Sequence, residues 1–390
     1  AEKAEQTEVR KSATSSERGI HERLLAEESE DVDLYKNQYP DKTRKKSENK
    51  QIIIPQAKIE ETPPKGIIQT AWYENHLWIK LLSPVSFVFN IIASLRRKNL
   101  QKISWKPKQK IIVVGNLTVG GNGKTPFVIW LAKLLRKKGM KPGVISRGYK
   151  SNAVKFPLEV NHQTSVSASG DEPKLIFNST NCPVVISPDR VEAAQFLLKK
   201  HNCDVIISDD GMQHYKLGRD MEIALVDGYK KFGNGFTLPA GPLREPVKRL
   251  KEVDYIISAN KSWIEEKETS DKDKLMTYEP VAWVDLKTGI EKPISEWPLD
   301  KLVYAVAGIA NPQNFFSTLR SLGFEVIENI FPDHHEYNKA DFSRLTDLPV
   351  LMTEKDALKC KNISGNFWYL KIEAKLPDDF AEEIYTKIIS

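Results

Sequence analysis

Cysteine is scarce: three residues (Cys182, Cys203, Cys360) stand among 390, and no two form a Cys-x-x-Cys pair. That excludes a disulfide framework and a thiolate zinc site, and it fits a reducing compartment. No run of about 20 uninterrupted apolar residues occurs, which excludes a multi-span membrane protein. No signal peptide opens the chain, although its first residue is not Met. Charge of one sign is not in strong excess either: 58 Lys and Arg stand against 52 Asp and Glu, a formal net charge of +6. So mild a balance does not call for nucleic acid; it suits anionic substrates or an anionic membrane surface. What the chain does have is 40% apolar and 28% charged residues, enough apolar mass for a sizeable core. Its length suggests two domains with additions.

Residues 1–65 are dense in charge, with signs that nearly cancel and no sustained apolar period. Such a segment cannot bury enough area to offset its chain entropy, so a disordered tail is expected, with a transient helix around Glu22 to Glu30. Residues 66–110 differ. Trp72 to Leu95 is apolar, interrupted by Lys80, Pro84 and Asn90, and the cations Arg96, Arg97, Lys98, Lys102, Lys106, Lys108 and Lys110 follow. An interfacial helix is expected, its apolar face at the acyl boundary and its cations at anionic headgroups. A spanning helix tolerates such interruptions poorly; an ordinary packed helix is the other reading.

The run Ile111-Ile112-Val113-Val114 is β-branched and uninterrupted, as a buried parallel strand requires. Thr118-Val119-Gly120-Gly121-Asn122-Gly123-Lys124-Thr125 follows it and leads into a helix over Pro126 to Lys138. Strand, glycine loop, Lys-Thr and helix, in that order, make the context of a P-loop. The glycines let backbone N–H groups turn toward phosphate oxygens, and the helix N-terminus adds its positive end. Lys124 can reach the β- and γ-phosphates of ATP, and the Thr125 hydroxyl can ligate Mg²⁺. Thr118 stands where the general pattern has Gly, but the remaining glycines preserve the mechanism.

A second buried strand, Asp204 to Asp210, ends in the paired carboxylates Asp209 and Asp210, placed as the Mg²⁺ acids of a P-loop enzyme. Further strands are expected at Gly143 to Ser146, Val184 to Ile186, Ile223 to Val226 and Tyr255 to Ser258, with helices between several of them. The fold class is therefore α/β: a mostly parallel P-loop sheet with helices on both faces. Polar clusters follow these strand ends and line one rim: Arg147-Gly148-Tyr149, Gly170-Asp171-Glu172, Asp189-Arg190, Gln213-His214 and Arg244-Glu245. Asp171 and Asp189 equally suit helix capping. Phosphoryl transfer to an alcohol needs a base, and Asp171 is the candidate, best if a histidine of the distant Asp333-His334-His335 cluster shares the proton.

Taken in order, GNLTVGGNGKTP, SRGY, GDEP, SPDR, DDGMQH, LPAGPLREP, AGIANP, FPDHHEY and TEKD make the chain resemble the tetraacyldisaccharide 4'-kinase family from about Ile67 to the C-terminus. The resemblance implies an ATP- and Mg²⁺-dependent kinase. It would phosphorylate the 4'-hydroxyl of an acylated disaccharide 1-phosphate, giving lipid IVA in lipid A biosynthesis, peripheral or monotopic at the cytoplasmic face of the bacterial inner membrane. It implies a P-loop core over residues 111–261, a β linker over 262–298 and a smaller C-terminal α/β domain over 299–390. It further implies an ATP site over Thr118 to Thr125, Asp171 as base assisted by His334, Asp209 and Asp210 as metal acids, and Tyr149, Glu172, Arg190, Gln213, His214, Arg244 and Glu245 as rim positions toward substrate. Two alternatives stay open on the residues alone. One is a GTPase-type switch or metallochaperone, disfavoured because Thr353-Glu354-Lys355-Asp356 misplaces the Lys of a guanine-reading motif. The other is a metal-dependent phosphoesterase prompted by Asp333-His334-His335, which would leave the P-loop unexplained.

Overall fold

The computed structural model describes residues 67–390, apart from residues 75, 122, 263–269, 361, 362 and 364. The expected tail over 1–65, with its transient helix, lies outside the described residues. One sheet of 13 strands organises the described chain. The strands are β1 (Lys110–Asn116), β2 (Pro142–Ser146), β3 (Leu158–Val160), β4 (Val184–Ile186), β5 (Val205–Asp209), β6 (Met221–Asp227), β7 (Tyr255–Ala259), β8 (Asp273–Asp285), β9 (Glu291–Pro293), β10 (Leu302–Ala307), β11 (Glu325–Ile330), β12 (Val350–Thr353) and β13 (Phe367–Lys375). Their order is β11-β10-β12-β13-β8-β7-β6-β1-β5-β2-β4-β3, with β9 paired to β8.

The first half of the sheet follows the pattern expected of buried parallel strands. β1 lies between β5 and β6, parallel to both, and Ile111 through Val114 are wholly buried. The β1–β5 register sets Val114 opposite Asp209, so the P-loop leaves the sheet beside the acidic strand end. The helix Lys124–Lys137 turns Phe127, Val128, Leu131, Ala132 and Leu135 onto one sheet face. This spacing is one face of a 3.6-residue period. The helix Arg190–Lys200 covers the opposite face with Ala193, Ala194 and Leu197. Both faces are thus sealed, as a parallel sheet requires.

β8 joins the two halves. Its first residues pair parallel with β7, setting Ile256 opposite Asp273; from Thr277 on it runs antiparallel to β13. The second half is built on parallel pairings of β10 with β11 and β12, and of β12 with β13. Trp283, Trp297, Phe324 and Trp368 fill one of its faces with edge-on ring contacts at centroid distances of 5.1 to 5.4 Å. The C-terminal helix Asp378–Ile389 then returns to the first half, where Phe380, Ile384 and Ile388 enter the core beneath the helix Lys124–Lys137. Phe380 stacks on Trp130 at 5.8 Å.

Ahead of the sheet lie a short helix Ile67–Tyr73, a 3₁₀ turn Leu77–Leu82 and the helix Ser83–Lys102. One edge of this segment is fastened to the loop before β7. Trp72 Nε1 donates to the Pro239 carbonyl at 3.0 Å. Ser86 Oγ donates to the Thr237 carbonyl at 2.8 Å and accepts from Ala240 N–H at 3.0 Å. Apart from buried Ala71 and Ile79, most of the segment's large apolar side chains are uncovered: Leu77, Leu81, Phe87, Val88, Ile92 and Leu95 are exposed, Leu81 by 81%. An ordinary packed helix would bury these side chains. Leu77–Lys102 is also, among the described residues, the one stretch long and apolar enough to cross a membrane by length and composition.

Candidate active site

The P-loop hangs between β1 and the helix Lys124–Lys137. Gly123 caps that helix at φ 78°, in the left-handed region, and an added Cβ there would stand 2.1 Å from the Tyr278 hydroxyl on β8. Only glycine accepts both the angle and the approach. Lys124 and Thr125 open the helix, each 8% exposed. Lys124 Nζ donates to Asn116 Oδ1 at 3.3 Å and to the Gly120 carbonyl at 3.4 Å, and lies 3.6 Å from Asp210 Oδ1. Val119 N–H donates to the Pro242 carbonyl at 2.9 Å, which ties the loop to the LPAGPLREP segment. Gly120 and Gly121 stay exposed. Asn122 lies outside the described residues.

Asp209 ends β5 fully buried. Its Oδ2 accepts from Ser146 Oγ at 3.2 Å, and its Oδ1 has no hydrogen-bond partner. Burial, then the negative charges of Glu172 and Asp210, push its carboxyl well above the usual range, against the pull of Lys124 and Arg190. Asp210 behaves oppositely. Burial raises it, but Lys124 and Arg244 outweigh that and hold it below the ordinary value. Arg244 Nη1 reaches the two Asp210 oxygens at 3.2 and 3.3 Å. Asp210 adopts φ 48°, an unusual angle for a residue with a side chain. A buried, unpartnered carboxylate oxygen beside a second acid is the environment a divalent cation relieves. Among the described residues no three His, Cys, Asp or Glu side chains enclose a metal by themselves. Mg²⁺ in phosphate sites takes only one or two carboxylates and completes its shell with phosphate and water. The residues present therefore fit it.

Arg190 begins the helix Arg190–Lys200 and is 1% exposed. It donates to the carbonyls of Ser187 at 2.8 Å and Asp209 at 3.1 Å. Burial lowers its guanidinium to about 10, so it remains charged at neutral pH. Burial, with Arg190 and Arg147 nearby, lowers His214 to about 3, which keeps that imidazole neutral. Gln213 Nε2 bonds Glu245 Oε1 at 2.9 Å and the Asn116 carbonyl at 3.3 Å. Glu245 is 7% exposed, held by Tyr215 at 2.6 Å and facing Arg249 at 3.6 Å. Its two oxygens are taken up by Gln213 and Tyr215, so it braces the rim.

Asp171 is the first residue of the helix Asp171–Thr180, which packs against the helix Lys124–Lys137. Gly170 precedes it at φ 85°, where a Cβ would stand 2.7 Å from the Tyr149 carbonyl. Asp171 thus begins a helix rather than capping it, whereas Asp189 does cap, accepting from Val191 and Glu192 N–H. Asp171 Oδ2 lies 3.0 Å from His334 Nδ1. Burial raises the Asp171 carboxyl, but the His334 hydrogen bond and the Lys359 and Lys355 charges outweigh it and hold the group below its ordinary value. Tyr149, 57% exposed, sets its ring edge-on to His334 at 5.7 Å. Within the TEKD segment, Asp356 is wholly buried and bonds Gly308 N–H and the Thr353 hydroxyl, so it is not free to read a guanine edge.

The structure therefore brings Lys124, Thr125, Asp209, Asp210, Arg190, Gln213, His214 and Arg244 to one rim, and Asp171, Tyr149 and His334 to another. The helices that begin at Lys124 and Asp171 pack against each other, and the charge of Glu172, next to Asp171, is felt at Asp209. Sequence reasoning missed Asn116, Lys355 and Lys359. Asn116 had a signal in its place at the end of β1; the two lysines had only their membership of, or closeness to, TEKD.

The family model described as tetraacyldisaccharide-1-P 4'-kinase matches residues 78–389. A tetraacyldisaccharide 4'-kinase of Legionella pneumophila is 46% identical over 321 residues, 82% of this chain and 96% of the relative. One of Vibrio cholerae is 43% identical over 334 residues, 83% and 96% of the two chains. Among solved structures, apo-form LpxK from Aquifex aeolicus, in complex with ATP, superimposes with a TM-score of 0.68 at 31% identity. The match covers 80% of this chain and all of that one. Family motif, full-length relatives and fold agree, and the chain belongs to the tetraacyldisaccharide-1-P 4'-kinase family.

Proposed function

We propose that this protein transfers the γ-phosphoryl group of ATP to the 4'-hydroxyl of a tetraacylated disaccharide 1-phosphate at the inner-membrane surface, giving lipid IVA. The observation that carries the reading is the 3.0 Å contact of Asp171 with His334, on a helix packed against the one that starts with the P-loop Lys124. The P-loop backbone binds the ATP phosphates and Lys124 swings onto the β- and γ-phosphates. Asp171 accepts the proton of the sugar hydroxyl, whose oxygen bonds to phosphorus while the bridge to ADP breaks. His334 orients Asp171 and steadies the proton it takes. Arg190 and Arg244 hold the acidic pair in place, and neutral His214 adds a hydrogen-bonding edge at the rim. Thr125, Asp209 and Asp210 would hold Mg²⁺, which when bound neutralises charge on the transferring group.

An acceptor with four acyl chains stays in the bilayer, since each buried CH₂ contributes about 0.8 kcal/mol. The exposed stripe of Leu77, Leu81, Phe87 and Ile92, followed by Arg96 to Lys102, supports attachment at the cytoplasmic face, where ATP is available. Purified protein incubated with labelled ATP and the acylated disaccharide 1-phosphate should yield a labelled lipid bisphosphate. Folded, vesicle-bound protein that leaves the lipid unlabelled would overturn the assignment.

A further inference from the structure

Two lysines of the second half converge on Asp171. Lys359 has a side chain 6% exposed; its ammonium lies 3.5 Å from Asp171 Oδ2 and 3.3 Å from Asp356 Oδ1, above the Tyr337 ring at 5.3 Å. Lys355 Nζ lies 3.5 Å from His334 Nε2, 4.0 Å from Asp171 Oδ2 and 3.4 Å from Asp333 Oδ1. We propose that Lys359 and Lys355 are positioning residues for phosphoryl transfer, Lys359 fixing the carboxylate of Asp171 and Lys355 fixing the tautomer of His334. The proposal rests on the reading of Asp171 as base.

A buried ammonium is costly unless it is paired. Lys359 offsets that cost by charge alone: two carboxylates on different parts of the chain lie at ion-pair distance, while its ammonium makes no hydrogen bond among the described residues. Asp356 is immobile: its Oδ2 accepts from Gly308 N–H at 3.0 Å and from Thr353 Oγ1 at 2.6 Å. Lys359 therefore stands on a fixed post and holds Asp171 against it. Lys355 acts on the imidazole. Nε2 faces the Lys355 ammonium, which only donates, at 3.5 Å and Asp333 Oδ2, which only accepts, at 3.7 Å; the nearer ammonium favours a lone pair on that nitrogen. With Nε2 as acceptor, the ring proton sits on Nδ1 and donates to Asp171 Oδ2. His334 itself adopts φ 67°, in the left-handed region, where a residue with a side chain persists only when its surroundings enforce it. The base is thus complete only when the second half of the chain lies against the first.

The charged groups around the Asp171 carboxylate are Glu172 on its own helix, and His334, Asp333, Lys355 and Lys359 from the second half. Lys150, beyond Tyr149, reaches the Asp333 carbonyl at 3.5 Å. Replacing either lysine by Met removes positive charge, so Asp171 titrates higher and the acid limb of kcat moves to higher pH. For Lys359→Met the expected results are a limb displaced upward by about one pH unit, kcat near neutrality reduced about tenfold, and KM for ATP unchanged. Lys355→Met should lower kcat by about ten- to a hundredfold, with Lys355→Arg restoring most of it because a guanidinium also only donates.

A purely structural pair would lower the melting temperature and leave the acid limb where it was, and that result overturns the proposal. Nitrogen-15 spectra of the histidines in the unaltered full chain supply a readout that needs neither lipid nor a foldable variant. His334 should carry its proton on Nδ1, and a proton on Nε2 overturns the assignment to Lys355. Loss of lipid phosphorylation by the unaltered protein would instead strike the proposed function, so the two failures remain distinct.

Discussion

His334 Nδ1 meets Asp171 Oδ2 at 3.0 Å although 163 residues separate them along the chain. Both side chains are nearly buried, at 12% and 10% exposure, so the contact is made away from bulk water. An acid used as base must be ionised, within reach of the hydroxyl and held still. Asp171→Asn keeps the shape and removes the proton acceptor. It should lower kcat by about 10² to 10⁴, with ATP affinity unchanged. His334→Ala should cost less, about 10- to 100-fold, since Asp171 survives. Steady-state kinetics beside thermal melting checks both; full activity in folded Asp171→Asn removes Asp171 as base.

The same contact makes stability depend on pH. The folded-state carboxyl of Asp171 lies below its ordinary value of 3.8, because the His334 bond and the two lysines outweigh burial. A group with a lowered folded pKa contributes stability above its unfolded pKa and loses it as pH falls through the folded value. The gap in urea-unfolding free energy between unaltered protein and Asp171→Asn should therefore be full near pH 6 and narrow below about pH 4. A gap that is flat with pH contradicts the pairing.

Gly123 and Tyr278 couple the P-loop to the strand joining the halves. In Gly123→Ala the new methyl would meet the Tyr278 hydroxyl at 2.1 Å, with Cζ at 3.4 Å. Removing that hydroxyl relieves the collision but not the positive φ, which costs about 1 to 2 kcal/mol for an L-residue. Gly123→Ala alone should lower both the melting temperature and ATP affinity. Adding Tyr278→Phe should recover part of each loss. Strict additivity of the two substitutions would mean that no such contact exists.

The phosphate loop was legible because its signals are local. A β-branched run, three glycines, Lys-Thr and an apolar 3.6 period sit within 30 residues and leave little choice of fold. Asp209 was legible for the same reason, at the end of an uninterrupted apolar run. The meeting of Asp171 with His334 was only half legible: spacing left Asp171 between capping and catalysis and offered a distant histidine cluster as its partner, and the family resemblance singled out His334. Glu245 shows why rim residues are harder. Its neighbour Arg244 turns toward Asp210 and Gln213, while Glu245 is taken up by Tyr215 and Gln213. No periodicity in a proline-stiffened loop says which side chain turns inward. The C-terminal helix was not read from the sequence: Phe380, Ile384 and Ile388 recur at helical spacing, but nothing local says which core receives them.

Arg190 is expected to matter for folding as well as for the site. Its guanidinium is buried and bonds two carbonyls at the ends of neighbouring elements. Charged hydrogen bonds contribute about 1.5 to 3 kcal/mol each, and removing one partner leaves buried acceptors unsatisfied. Arg190→Met, which retains the apolar stem, should lower the unfolding free energy by about 3 kcal/mol in urea titration. It should also weaken nucleotide binding, since Asp209 loses a neighbouring positive charge. A melting curve unchanged by the substitution would place Arg190 outside the framework of the rim.

The helix Ser83–Lys102 supplies the last test, because its two edges make opposite demands. Ser86 is tied into the protein by the Thr237 carbonyl and the Ala240 N–H, so Ser86→Val should loosen the helix from the core and lower the melting temperature. Leu81 and Phe87 touch little protein, being 81% and 66% exposed. Substituting them should leave folding alone and act only where a bilayer is present. An apolar side chain that enters the acyl boundary contributes about 1.5 to 3 kcal/mol, and a carboxylate in its place also repels anionic headgroups. Leu81→Glu with Phe87→Glu should therefore reduce cosedimentation with anionic phospholipid vesicles by at least tenfold and slow phosphorylation of bilayer-embedded acceptor. ATP binding and the melting temperature should not change. Raising salt weakens the cationic contribution of Arg96, Lys98 and Lys102 but not the apolar one, so residual binding of the unaltered protein at about 1 M salt measures what the stripe itself supplies. Equal vesicle binding by the doubly substituted and unaltered proteins would show that the uncovered stripe does not face the bilayer.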